Sequence, residues 1–355
     1  MTFAIENPGN KYYRKALSKE ILADQRACKR EPQWPPAREL HPKILSYYNQ
    51  ITTGNDSNSE FDWYKCFSKQ TYTDCLTLGS QSGRHERYLF KNKIVENFDS
   101  IVLSPPSTTN TFAEQSNTAF IIGDLNFVNL PENKYDLIFC NGVLHHIINL
   151  EHLLAQINRS LKDDGIFACC EYVGESKMQW SDMKLNILGK IISEKYGELI
   201  KYDKFTKPDI QNINRRPLEA IRSQEIPNLL DHYFNPLWVK TTDFILYPGI
   251  NGTNFKGQLK GYALNNEQRF NNYLDLLIKH DYQIFKQNSN MMMPNNLRGI
   301  FKKKTKTSRI KNVQPWSKNE IKYHLSSKHD QLSEKAFRRI AKAIRKCKRW
   351  CIRST

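Results

Sequence analysis

A chain of 355 residues, 39% hydrophobic and 25% charged, is long enough to bury a sizeable core and suggests about two domains, which excludes the disordered and fibrous classes. Its formal net charge of +17 is uneven: 18 of 53 Lys and Arg, but 3 of 36 Asp and Glu, lie between Lys302 and Thr355. The body is nearly neutral, so any argument from basicity to an anionic partner concerns the tail alone.

No apolar run is long enough to cross a membrane, and the opening MTFAIENPGNKYYRK has no apolar core of a signal peptide. A cytoplasmic protein is expected. The 8 cysteines form no CxxC pair, and Cys75, Cys140 and Cys169 sit inside apparent strands. They read as reduced thiols, with neither a disulfide framework nor a metal site.

In chain order, residues 1–70 form an N-terminal cap. Lys11 to Arg30 reads as a helix broken by Pro32, Pro35 and Pro36, and Ile44 to Ile51 as a short second one. Phe61, Trp63, Tyr64 and Phe67 form an aromatic cluster that packs on the core or lines one side of a pocket. Cys75 to Gly79 is then a short apolar strand. Gly79 and Gly83 punctuate a turn, and Arg84 to Phe98 has helical spacing. Strand, glycine turn and helix open a nucleotide-binding α/β unit, because glycine lets backbone approach a ligand at a helix N-terminus.

Further apolar runs lie at 100–104, 119–123, 135–140 and 166–173. They do not alternate, as expected of strands buried on both faces of a parallel sheet. Leu150, Leu153, Leu154, Ile157 and Leu161 make one face of a helix, with Gly165 in place for its C-cap. A helical insertion follows over about 174–236, with helices at Trp180 to Ile200 and Arg222 to Phe234, the latter interrupted near Pro227. Trp238 to Tyr247 reads as a strand, Gln268 to His280 as a helix and Leu297 to Phe301 as a last strand. The fold class is α/β, a doubly wound, mostly parallel seven-stranded sheet over 71–303, with a helical cap and a basic helical tail. In the tail, 304–355, a basic linker leads to an amphipathic helix whose apolar seam is Phe337, Ile340, Ile344, Cys347 and Cys351.

LTLGSQSG (76–83), IIGDLN (121–126), YDLIFCNGVLHHI (135–147) and LKDDGIF (161–167), in that order, resemble the class I S-adenosylmethionine-dependent methyltransferases. EYVGESKMQW (171–180) and AIRSQEI (220–226) are similar to a bacterial subgroup often found with surface-polysaccharide and glycosyl-transfer proteins. The resemblance implies S-adenosylmethionine as cofactor and a small-molecule or glycan acceptor. It implies cofactor contacts from Gly79, Ser80, Gln81, Gly83, Ser104, Asp124, Leu125, Cys140 and Asn141, with Asp124 beside the adenine amine.

Two positions depart from the family. Gln81 replaces its middle glycine, and Val102 stands where an Asp or Glu usually accepts from the ribose hydroxyls. A non-catalytic binding protein on the same fold is the alternative that these departures raise. His145 and His146 follow the fourth strand and Glu171 ends the fifth; all three are candidates for general acid–base work, or for packing, capping and structural hydrogen bonds. Tyr172 is a candidate substrate contact. Arg222 is either another or half of an ion pair with Glu225. The tail is expected to contact an anionic membrane surface or another protein, and specific nucleic-acid binding is not expected.

Overall fold

The structure is a computed structural model and describes residues 11–28, 41–68, 70–79, 83–103, 117–197, 216–251, 256–287, 292–304 and 325. Ser80, Gln81, Ser104 and the tail helix lie outside the described residues.

Two helices come first, α1 (Lys11–Cys28) and α2 (Pro42–Thr52). The sheet is built from β1 (Tyr72–Leu78), β2 (Val95–Val102), β3 (Asn117–Ile122), β4 (Tyr135–Asn141), β5 (Leu161–Tyr172), β6 (Phe234–Thr242) and β7 (Asn296–Lys303). Its order is β3-β2-β1-β4-β5-β7-β6. Neighbours from β3 to β5 run parallel, and β7 is antiparallel to both β5 and β6. This matches the expected doubly wound, mostly parallel seven-stranded sheet. The remaining helices are α3 (Arg84–Lys91), α4 (Leu150–Ser160), α5 (Asp182–Lys195), α6 (Ile226–Tyr233), α7 (Leu246–Asn251), α8 (Lys256–Asn265) and α9 (Glu267–Lys286).

The non-alternating runs are explained by cover on both faces. On one face Leu153, Leu154 and Ile157 of α4 and Ile226 and Leu230 of α6 pack against Ile138 and Phe167. On the other, Trp63, Tyr64 and Phe67 join Leu89 over Cys75, Phe98, Leu137 and Phe139. The aromatic cluster thus packs on the sheet, where Trp63 lies parallel to Trp238 of β6 at 6.4 Å. Cys75, Cys140 and Cys169 are buried free thiols in β1, β4 and β5. Among the described residues no helix is long and apolar enough to cross a membrane.

Several boundaries differ from the sequence expectation. Helix α3 stops at Lys91, and Val95 and Phe98, expected on a helix, lie in β2. The chain reverses through Lys93 in the left-handed region (φ 55°), a conformation whose usual signals, Gly or Asn, are absent at that position. Gly165 is not a helix cap: it lies within β5, where a Cβ would meet the Tyr135 carbonyl oxygen at 2.7 Å. Pro227 does not interrupt a helix but sits in the first turn of α6, where a missing N–H costs nothing. The strand expected to reach Tyr247 ends at Thr242, and its last residues belong to α7.

A second apolar body, from α2, α5, α7 and α9, encloses a polar knot. Asp281 accepts from the Phe244 and Ile245 backbone N–H groups and the Tyr47 hydroxyl, each at 2.7 Å. Asp243 accepts from the Tyr48 hydroxyl at 2.8 Å and from Asn295 Nδ2 at 3.0 Å. Burial, then the charge of Asp243, pushes the Asp281 carboxyl up to about 7. A carboxyl raised on folding favours the protonated native state. Its contribution is therefore full below the unfolded value of about 3.9 and is lost as pH rises through about 7. Asp281→Asn keeps an oxygen for both N–H groups and is expected to flatten the fall in denaturant midpoint between these limits. An unchanged slope would move the effect to another group.

Candidate active site

The carboxyl ends of β1, β3, β4 and β5 carry almost every residue singled out from the sequence. Gly79 follows β1 with φ +74°, and an added Cβ would lie 2.5 Å from Val143 Cγ2. Gly83 caps α3 in the left-handed region, so both glycines are required by backbone geometry. At the end of β4, Asn141 Nδ2 donates to His85 Nε2 at 2.6 Å. His85 Nδ1 must then carry the ring proton and face the Tyr64 hydroxyl at 2.6 Å. Burial, followed by the nearby Arg84 charge, pulls His85 down to about 3, so it is a neutral strut under the turn.

Asp124 and Leu125 follow β3, both buried. Asp124 Oδ2 accepts from the Tyr13 hydroxyl at 2.7 Å, and Oδ1 accepts from the Asn126 N–H at 3.0 Å and Nδ2 at 3.1 Å. Tyr13 belongs to α1, is fully buried and meets Phe127 edge to face at 5.3 Å. The cap helix therefore closes over the β3 end, which the helical spacing of residues 11–30 did not foreshadow.

Glu171 organises the next step of the row. Buried at the end of β5, its Oε1 accepts from the Val143 N–H at 2.8 Å, the Leu144 N–H at 2.9 Å and Cys140 Sγ at 3.1 Å. Its Oε2 lies 3.0 Å from His145 Nδ1, which must be protonated because a carboxylate can only accept. The candidate residues His145, Glu171 and Cys140 are thus one unit, and the Cys140 thiol is engaged by Glu171.

Burial opposes charge on His145, but the Glu171 hydrogen bond and the two nearby carboxylates of Glu171 and Glu219 prevail and push it up to about 9. His146, its ring 4.1 Å away, is pulled down to about 3 by burial and then by the charge of His145. Burial likewise opposes charge on Glu171, but His145 and the backbone donors hold it below the usual range.

Three further residues come from outside the motifs. Glu219 Oε1 is 3.6 Å from His145 Nε2, and Arg216 Nη1 donates to Glu219 Oε2 at 2.8 Å. Glu20 of α1 accepts from the Leu218 N–H at 2.9 Å. The turn carrying Glu219 is locked, since Ile221 N donates to the His145 carbonyl at 3.0 Å and Lys177 N to the Ala220 carbonyl at 2.6 Å. Ala220 is held at φ +50°, an uncommon conformation for a residue with a Cβ. No periodicity or motif spacing marks these residues.

Tyr172 is buried near this cluster, 6.1 Å ring to ring from His145. The expected substrate role of Arg222 is not supported by its geometry. All five guanidinium N–H groups are directed within the fold: to both oxygens of Glu151 at 2.6 and 2.7 Å, both oxygens of Glu225 at 2.7 and 3.0 Å, and the Ile148 carbonyl at 2.8 Å. Arg222 and Glu225 form an ion pair, which Glu151 from α4 extends.

The segments EYVG and RSQE also meet: Ser223 Oγ donates to the Gly174 carbonyl at 2.8 Å, and Ser176 N donates to Gln224 Oε1 at 3.2 Å. A side chain at Gly174 would strike the Tyr172 hydroxyl at 2.5 Å.

Residues 76–169, which span β1 through most of β5, match the sequence profile of the family described as "Methyltransferase domain". The match indicates S-adenosylmethionine as the cofactor of this region. Among curated proteins, the mitochondrial arginine-hydroxylase NDUFAF5 of Rattus norvegicus is 24% identical over 155 residues, covering 44% of this chain and 43% of that protein. The Homo sapiens protein of the same name matches with the same identity and coverage. The chain thus spans less than half the length of these relatives. Among solved structures, Burkholderia thailandensis 1,6-didemethyltoxoflavin-N1-methyltransferase has a TM-score of 0.40 and 14% identity over 85% of this chain and 94% of its own. Haemonchus contortus phosphoethanolamine N-methyltransferase 2 has a TM-score of 0.36 and 16% identity over 68% and 51% of the two chains. Likenesses at this level do not bear on what this chain acts upon.

The described residues fit the cofactor in part. Gly79 lets the turn after β1 pack directly on Val143, and Asp124 Oδ2, which accepts from Tyr13, has a second lone pair for an amine. The ribose position lacks its carboxylate, because β2 ends in buried Val102. Asp99 is no substitute: it is tied to Lys134 and to the Tyr135 hydroxyl, where β4 begins.

Proposed function

We propose that this chain transfers a methyl group from S-adenosylmethionine to a small-molecule or glycan acceptor. The observation that carries the reading is the coincidence of the methyltransferase-domain match with a row of sheet carboxyl ends bearing Gly79, Gly83, Asp124 and Asn141. When bound, the cofactor supplies a methyl group on a sulfonium. Gly79 and Gly83, with Ser80 and Gln81 between them, hold the methionine side, and Ser104 makes a partial ribose contact. Asp124 and Leu125 hold the adenine, and the backbone at Cys140 and Asn141 borders the centre of the cofactor.

The acceptor lies over His145, His146, Glu171 and Tyr172. Glu171 fixes the His145 ring, and burial of this cluster excludes water from the transfer path. Positioning and desolvation supply much of the rate of an in-line displacement, so the chain needs no strong base. A glycan-type acceptor is suggested by the resemblance of EYVGESKMQW and AIRSQEI to the surface-polysaccharide subgroup, two segments that are hydrogen-bonded to each other here. The protein works in the cytoplasm, with the basic tail against an anionic membrane surface or another protein.

Calorimetric titration with S-adenosylmethionine and its demethylated product tests this reading. Asp124→Ala is expected to weaken binding about ten- to hundredfold, the loss of one charge-assisted acceptor. An unchanged affinity would place the adenine elsewhere. Absence of binding at millimolar ligand would favour the second reading, a non-catalytic binding protein, to which Val102 and the Tyr13 contact on Asp124 already point.

A further inference from the structure

We infer that His145, His146 and Glu219 form a binding site for a divalent transition-metal ion, with Glu171 as the carboxylate that orients His145. One ligand atom from each of the three lies within 4.8 Å of the other two. His145 Nε2 and Glu219 Oε1 are 3.6 Å apart, too long for a good hydrogen bond. That spacing is natural for two ligands on one ion, since donors about 2.1 Å from a tetrahedral zinc are about 3.4 Å from each other.

The surroundings agree with an ion at this place. Glu171 takes the Nδ1 proton of His145 at 3.0 Å, so Nε2 is the nitrogen an ion would hold in place of its proton, with the carboxylate behind the ring as metal-bound histidines usually have. His146 Nδ1 is buried without a hydrogen-bond partner among the described residues, with Glu20 Oε2 at 3.9 Å. Arg216 Nη1 donates to Glu219 Oε2 at 2.8 Å, while Glu219 Oε1 faces His145 and Arg216 Nε lies 3.5 Å from Glu20.

Charge points the same way. Glu20, Glu171 and Glu219 against Arg216 leave about −2 around the two imidazoles, which one divalent ion cancels once it displaces the second proton of His145. The ligands are also rigid. The Leu144–His146 turn is held by Glu171, and the Glu219 turn is tied to it through the Ile221–His145 backbone bond of 3.0 Å.

Two imidazoles and a carboxylate suit zinc or its first-row neighbours, and three protein ligands leave a coordination position open. On the methyl-transfer reading, and resting on it, that position takes the acceptor oxygen. Metal binding itself does not depend on that reading.

The test uses untagged full-length protein without cofactor or acceptor. Zinc titration by calorimetry should show one equivalent bound at micromolar affinity or tighter. Cobalt loading should give visible absorption of a low-coordinate nitrogen–oxygen site with no thiolate charge-transfer band. His146→Ala and the near-isosteric Glu219→Gln are each expected to weaken zinc binding about tenfold or more, with circular dichroism unchanged. Failure of the parent protein to bind zinc, a thiolate band assigning the ion to cysteines, or full affinity in a folded variant would each overturn the site. S-adenosylmethionine titrated into the same sample keeps failure of the metal site separate from failure of the methyltransferase reading.

Discussion

Glu171→Ala is expected to lower the free energy of unfolding by about 3–5 kcal/mol, read as a shift in denaturant midpoint followed by circular dichroism. The Glu171 side chain is completely shielded from solvent and serves four donors from four different residues. Alanine would strand the buried Val143 and Leu144 N–H groups, which cost about 1–3 kcal/mol each when unpaired, and remove the anion that stabilises the His145 proton. Glu171→Gln retains one oxygen for the two N–H groups and presents an amide to His145, forcing its other tautomer. A cost of about 1–2 kcal/mol is expected for it, with most of the fold's stability preserved. A loss below about 1 kcal/mol for the alanine variant would mean that water reaches these donors. Glu171 would then be only one of several props for the turn.

The second large effect is expected at Arg222. Arg222→Ala removes a 2%-exposed guanidinium and leaves the Glu151 and Glu225 carboxylates facing one another without a counter-charge. Their side chains are 28% and 38% exposed, so water relieves part of the repulsion, and the expected cost is about 2–4 kcal/mol rather than that of a fully buried pair. Arg222→Lys restores a positive charge but not the fork that meets both carboxylates, and should recover about half of the loss. The pattern separates the two roles considered for this residue. A framework arginine moves thermal stability and leaves cofactor affinity nearly unchanged in the folded fraction. An arginine that binds acceptor would leave the melting temperature alone. Alanine variants melting like the parent protein would return Arg222 to the substrate side.

Both substitutions act where residues distant in sequence converge, which marks how far the amino-acid order alone could be read. The five parallel strands were visible because a strand covered on both faces has no polar side to present, so β4 runs Leu-Ile-Phe-Cys without alternation, and in β1 even Thr77 is buried. Helix α4 was visible because its apolar residues recur at helical spacing, although its polar His152, Gln156 and Asn158 are buried too, hydrogen-bonded to neighbouring backbone. Gly79 and Gly83 were recognisable because the left-handed conformations they adopt strongly favour a residue lacking Cβ. What failed were the boundaries set by residues with no distinctive chemistry. Lys93 turns the chain into β2 without glycine, and Gly165 looks like a helix cap yet sits under the Tyr135 carbonyl in β5.

The sequence by itself therefore determined the sheet, its winding and the edge that carries the candidate site, because those follow from local periodicity and from glycine. It also placed His145, His146 and Glu171 at that edge, since a residue following a parallel strand must lie at the strand's carboxyl end. Only the tertiary structure decided what these residues face. Tyr13 and Glu20 arrive on α1 and Glu219 on a turn held by backbone hydrogen bonds, and nothing in their own neighbourhoods announces it. The distances of 2.7 Å from Tyr13 to Asp124 and 3.6 Å from Glu219 to His145 are products of chain closure. Periodicity tells a residue which face of its own element it occupies, while the packing of whole elements chooses the partner across the gap.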